Sequence, residues 1–162
     1  MKCTQCGKEH TLLEPSFRRP DVVFALPPDE RRRRVVRESN DLCVLKGDAG
    51  TRWFLRCILP IPVHGYPDGT AWGFWAEVSA DDFATIEKNW SEEDQGRLGP
   101  FHATIANEDK TLPGTLGLNV LLRPMGPDTR PVLRFANDVR HVLADYAVSG
   151  VSLHVATAWG QP

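Results

Sequence analysis

Cys3-Thr-Gln-Cys6-Gly7 carries the sharpest chemical signal in the chain. Two thiolates three residues apart, with a glycine after the second, make a tight knuckle whose backbone can turn both sulfurs onto one tetrahedral ion. A redox pair has the same spacing, but a thioredoxin-type site needs a strand ahead of the motif, and only Met1 and Lys2 stand there. A structural zinc takes four protein ligands. Cys43 and Cys57 can supply the other two if the hairpin between them turns around Gly50, because they then lie at matching distances on either side of it. Directly opposed residues of an antiparallel ladder share a face, with Cβ atoms roughly 4.5–5.5 Å apart. A register slip of one residue destroys the arrangement, since it flips faces. The expected ligands of a structural Zn2+ are therefore Cys3, Cys6, Cys43 and Cys57, with His10 as the alternative ligand. The plainer reading makes Cys43 and Cys57 buried strand thiols, as free cysteines often are, and leaves Cys3 and Cys6 as a free tail or an oxidisable pair.

The other reactive side chains are scattered. His10, His64, His102, His141 and His154 form no HExxH or similar array. Cys57 and His64 are the nearest approach to a thiol–imidazole pair, but they flank a proline-rich strand end. The deaminase signature is missing, because no His-x-Glu precedes a Pro-Cys-x-x-Cys. Gly114-Thr-Leu-Gly117 lacks the phosphate-loop pattern. Arg31–Arg34, beside Asp29 and Glu30, reads as a solvated charged face ahead of an anion site.

The elements that must position these groups follow from pattern. Ordinary composition (41% apolar, 25% charged) and 162 residues fit one domain over 1–162 with a real core, the knuckle of residues 1–10 packing on its sheet. A net charge of −2 argues against nucleic acid and polyanionic membrane surfaces as partners. No run approaches the ~20 apolar residues of a membrane span, and the polar start is unlike a secretory signal. The expected location is the reducing cytoplasm, where cysteines serve as metal ligands or buried thiols in preference to disulfides.

Pro20 suits a helix start. Residues 42–46 and 52–63 read as a hairpin about Gly47-Asp-Ala-Gly50, with Pro60 and Pro62 pushing the second strand toward a sheet edge. Residues 71–78 form another strand, on which Trp72 and Phe74 share a face and Trp75 takes the other. Core is the expected fate of both tryptophans. Ser79 caps a helix running to about Trp90, with Phe83, Ile86 and Trp90 as its apolar stripe. Segments 101–106, 115–123 and 131–135 are further strands. Asp138–Ser149 is a second helix stopped by Gly150. Strands, helix, strands, helix is an α+β order: a mostly antiparallel sheet with two main helices and an N-terminal zinc knuckle.

Several of these segments together resemble a bacterial family, domain of unknown function 2199. They are Cys3-Thr-Gln-Cys6-Gly-Lys-Glu-His10, Asp41-Leu-Cys43-Val, Phe54-Leu-Arg56-Cys57-Ile-Leu-Pro60-Ile-Pro62-Val and Trp72-Gly73-Phe-Trp75. Arg130-Pro131 and His141-Val-Leu143-Ala144 through Gly150-Val151 extend the likeness over nearly the whole chain. The resemblance implies a bacterial cytosolic protein with no established activity, and it favours grouping the two strand cysteines with the CxxC. The chain departs from the family pattern at His141-Val142-Leu143, where His-Pro-Leu is usual. It departs also at Tyr146-Ala147 in place of Glu-Gln, and at Thr104 in place of an aromatic. The expected function is that of a zinc-stabilised binding or interaction protein, of the partner-binding or immunity type, with an unknown protein as partner. The alternative is a small metal-dependent hydrolase or other enzyme. It would use an open zinc held by Cys3, Cys6 and one further ligand plus water, or His141 as a base.

Overall fold

A computed structural model describes Glu9 and residues 12–159. Its elements in chain order are α1 (Asp21–Phe24), α2 (Pro28–Arg34), β1 (Val35–Glu38), β2 (Leu42–Gly47), β3 (Gly50–Val63), β4 (Tyr66–Val78), α3 (Ala80–Lys88), β5 (Phe101–Ile105), β6 (Asn119–Arg123), β7 (Val132–Phe135), α4 (Val142–Ser149) and α5 (Leu153–Ala158). Neighbouring strands pair in sequence order, and β3 additionally pairs with β7. Strands β3 to β7 therefore close into a five-stranded barrel, with β2 and β1 continuing outward from β3.

The expected α+β architecture of a mostly antiparallel sheet with two main helices is overturned by this closure. Successive strands from β3 to β7 alternate in direction, so the first and fifth run the same way. The sheet can close only through a parallel pairing, found at Ile58 and Val132. The result is a closed mixed barrel. Among the described residues its helices are five short pieces of four to nine residues, none of which dominates. The second expected helix is shorter than its pattern indicates: it starts at Val142 and not at Asp138, with His141 as N-cap. The expected knuckle over residues 1–10 lies, Glu9 apart, outside the described residues. Among the described residues, no helix is long and apolar enough to cross a membrane.

Strand β3 organises the molecule, and its prolines explain how. One edge of β3 belongs to β4 along nearly its whole length. The other edge is passed from β2, which pairs with residues 50–55, to β7 at Ile58. The amide of Arg56 donates to Asp41 O (2.8 Å), that of Ile58 to Pro131 O (2.9 Å) and that of His64 to Val151 O (2.8 Å). Pro60 and Pro62 occupy the same alternate positions, where a strand needs no donor toward β4. Their missing N–H groups end the β7 pairing while leaving the β4 ladder whole.

Period-two alternation then sorts the side chains. Leu55, Cys57, Leu59, Ile61 and Val63 of β3 and Trp72, Phe74, Ala76 and Val78 of β4 fill the barrel, together with Ile105, Val120, Leu122 and Leu133. Phe83 and Ile86 of α3, Leu143 of α4 and Leu153, Ala156 and Trp159 at the C-terminus join this core. The outer face of β2–β4 carries a second core of Cys43, Leu45, Phe54 and Trp75, against which Val23 of α1 packs. Trp72 and Trp75 thus point to opposite sides of β4, and both are buried.

Candidate functional site

The hairpin register decides the geometry of the strand cysteines. Gly47 faces Gly50, so the turn is Asp48-Ala49, and Cys43 stands opposite Phe54. Cys57 lies opposite Phe74 on the next strand. The observed register differs by three residues from one centred on Gly50. Three is odd, so the two cysteines take opposite faces. Cys43 sits in the outer core and Cys57 in the barrel interior, where its thiol donates to Leu55 O at 3.4 Å. Burial pushes the Cys43 thiol up to about 12 and the Cys57 thiol higher still. The shared face on which the four-cysteine set was built is therefore absent. Cys3, Cys6 and His10 lie outside the described residues, and among the described residues no cluster of three His, Cys, Asp or Glu can hold a metal ion.

The remaining expected groups hold the fold together. His141 accepts the Leu143 amide at Nδ1 (3.0 Å), capping α4, and its Nε2 stands 2.9 Å from Pro113 O. These two contacts require the neutral tautomer with the proton on Nε2. The lone pair a general base would use is already committed. Replacing His141 with alanine should lower stability by about 1 kcal/mol, the usual worth of an N-cap. Asparagine at that position should restore most of it in urea denaturation. His64 Nε2 lies 3.0 Å from Ser149 O at the β3–β4 turn, apart from the enclosed Cys57. Arg31 donates to the carbonyls of Val23, Phe24 and Leu26, closing the end of α1. Arg32 pairs with Asp29, and Arg34 with Glu30 and Asp48.

A buried polar network, not anticipated from sequence, ties α1 to the barrel. Asn107 is fully buried. Its Oδ1 accepts the Trp75 amide (2.8 Å), and its Nδ2 donates to Arg19 O (2.8 Å) and Asp21 Oδ1 (3.0 Å). Asp21 Oδ2 accepts the Glu108 amide at 2.7 Å. The Thr115 hydroxyl accepts from the Asp109 amide and donates to Asn107 O. Asp109 Oδ1 in turn binds the amides of Thr111 and Leu112. Glu108 receives the amides of Gly114 and Leu116, which hold its carboxyl below the usual range. Every carboxylate of this cluster is occupied by backbone.

One charged cluster is different. Where β3 passes from β2 to β7, Asp41, Arg56 and Arg130 converge. A turn sets Asp41, because Ser39 Oγ accepts the amides of Asp41 (3.1 Å) and Leu42 (3.2 Å). Arg130 Nε donates to Asp41 Oδ1 at 2.7 Å. The loop carrying Arg130 is tied to the end of α3 by the Asp128 amide on Trp90 O (3.0 Å). Arg56 Nε is buried without a hydrogen-bond partner. Its affinity for the proton is lowered by burial first and by the neighbouring Arg130 charge second, with Asp41 opposing. Beside this junction lies a cleft of about 290 Å³ lined by Ser39, Asp41, Leu42, Leu55, Glu87 and Trp90. Its floor is apolar (Leu42, Leu55, Trp90), and two carboxylates stand on its rim, Asp41 held by Arg130 and Glu87 by Arg37.

The profile of a family described as an uncharacterised protein conserved in bacteria, domain of unknown function 2199, matches residues 2–151. No curated protein and no solved structure matches. Three of the segments that carry the likeness meet at this junction: those of Asp41 and Arg56 face each other across the β2–β3 hairpin, and that of Arg130 joins them from far along the chain.

Proposed function

The chain belongs to the bacterial family called domain of unknown function 2199, and from that premise we propose that it is a binding protein whose ligand occupies the cleft beside the Asp41–Arg56–Arg130 junction. The observation that carries this reading is the convergence of Asp41, Arg56 and Arg130 beside a cleft that has an apolar floor and Asp41 in its lining, the apolar concavity with few polar groups that small-molecule sites favour. The groups that would serve a catalyst support it further: His141 caps α4 with Nδ1 and contacts Pro113 O with Nε2, and the Cys43 and Cys57 thiols are enclosed in apolar surroundings. A protein partner of the immunity or interaction type would be met in the same cleft, by one inserted side chain. In this reading the strand cysteines are core thiols. A metal knuckle at Cys3 and Cys6 would draw its remaining ligands elsewhere, His10 being the nearest in sequence.

The test is solvent mapping by amide and indole NMR with isopropanol and acetonitrile as probes. Shifts from both probes are expected to converge on Leu42, Leu55 and the Trp90 indole, and to fade in Trp90→Ala. Probes gathering instead in the groove between β7 and α4, near Val139 and Val148, would overturn the assignment.

A further inference from the structure

We propose that Arg56 and Arg130 together bind an oxyanion, the carboxylate or phosphate group of a small ligand. The proposal rests on the reading of this junction as the binding place and adds the chemistry of what binds. Four other arginines set the contrast. Arg19 pairs with Glu38, Arg37 with Glu87, Arg52 with Glu77 and Arg34 with Glu30. Each of these guanidiniums has its own carboxylate. At the junction two guanidiniums share Asp41, whose described side-chain bond goes to Arg130. Arg56 Nε is left buried with no acceptor.

A guanidinium presents five donors in a planar fork. Withdrawing one of them from water without a partner is unfavourable, and bringing a second cation beside it adds repulsion. Both disadvantages disappear when an oxyanion enters. A carboxylate or phosphate can accept from two guanidiniums at once, and charge-assisted forked bonds of this kind are the strong ones. The geometry is also prepared in advance. The Arg56 backbone is fixed by its bond to Asp41 O, Asp41 is fixed by the Ser39 turn, and Asp41 fixes Arg130. Asp41 is thus a positioning residue that orients one arginine and leaves the other free for the ligand. The two arginines lie beside the cleft and not in its lining, whose carboxylates Asp41 and Glu87 are each held by an arginine, so the anionic head would sit at the junction and a hydrocarbon portion would reach the apolar floor of Leu42, Leu55 and Trp90.

The experiment observes arginine Nε–Hε resonances while inorganic phosphate or acetate is added against potassium chloride of equal ionic strength. The Arg56 and Arg130 signals are expected to move saturably with at least one of the two anions, and the anion that moves them identifies the head group. Affinity should fall about tenfold or more in Arg56→Gln and be unchanged in Arg134→Gln. Arg56→Lys, which keeps the charge and loses the fork, should lie between and covers the case in which Arg56→Gln fails to fold. If neither anion moves the two signals beyond the chloride control, or if Arg56→Gln binds equally well, the oxyanion site is wrong. The organic-solvent map separates the two failures, because probes still converging on Leu42 and Trp90 would leave the cleft standing without its anion.

Discussion

Replacing Asn107 with leucine should lower the unfolding free energy by about 3–5 kcal/mol, a loss that urea denaturation would read as a large fall in midpoint at unchanged slope. The side chains are similar in volume, so cavity formation contributes little. What changes is the partnership of groups that cannot reach water. The Trp75 amide lies in the interior of β4 and has Asn107 Oδ1 as its acceptor. The carbonyl of Arg19 and one oxygen of Asp21 lose the donor that joins them. A buried polar group without a partner costs about 1–3 kcal/mol, and at least two are orphaned here. The effect should also be structural. Asn107 links β4 to the segment entering α1, so its loss should loosen α1 and expose the outer core of Cys43, Phe54 and Trp75 before the barrel opens. Amide exchange should therefore quicken at Asp21 and Val23 more than at Leu122. A loss below about 0.5 kcal/mol, the range of ordinary surface substitutions, would show that the network is dispensable.

Asn107 also marks where sequence reasoning reaches its limit. Ile-Ala-Asn-Glu-Asp-Lys-Thr has the composition of a solvated loop, and nothing local says that its asparagine is buried. The buried Asn becomes visible only once β4, β5 and the α1 entry are brought together. A local clue exists in the Asn-x-Asp spacing, because such residues bond to the backbone a few residues on, as Asp109 does with Thr111 and Leu112. Most of the strands were legible, though β1 was not. Alternation placed β2, β3 and β4, assigned Trp72 and Trp75 to opposite faces, and Ser79 does cap α3 through the Asp82 amide. Closure was not legible, because a single parallel bridge between Ile58 and Val132, 74 residues apart in the chain, leaves no local mark.

The candidate site shows the same division. Asp41, Arg56 and Arg130 each lie in segments that the family likeness picks out; the hairpin register links the first two, and no spacing links Arg130 to them. Their meeting depends on the edge of β3 changing partners at residue 56. The expected pairing of Cys43 with Cys57 turned on a comparable point. It needed the centre of one turn, and a turn of Asp48-Ala49 in place of one centred on Gly50 shifts the register by an odd number. A pattern of side chains can fix which residues form a hairpin while leaving its register to the turn chemistry, and on a two-sided sheet the register decides which face each sulfur takes.

That distinction gives the cysteines an opposite pH signature in the two accounts. As buried thiols, they should make the fold lose stability from about pH 9 upward. The Cys43 thiol is raised from its ordinary 9.0 to about 12 by burial, and Cys57 is raised further. Above pH 9 the unfolded chain releases these protons and the folded chain retains them, so the unfolded state binds fewer and stability must fall with pH. Each thiol contributes a slope of about 1.4 kcal/mol per pH unit, so the pair together approaches about 2.7 between pH 9 and 12. Lysine and tyrosine titrate in the same range, and the reference is therefore Cys43→Ala/Cys57→Ala, which should show a shallower slope whatever its absolute stability. Thiol reactivity supplies an independent reading: a rise of this size leaves about a thousandfold less Cys43 thiolate at neutral pH, so alkylation of either cysteine should wait for unfolding. Zinc-bound thiolates would reverse the sign. Their folded proton affinity would be depressed, their stabilisation would be complete above pH 9, and it would be lost on acidification as the metal left. A native chain whose alkaline slope equals that of the double variant, and which loses stability together with zinc below pH 6, would return Cys43 and Cys57 to the metal.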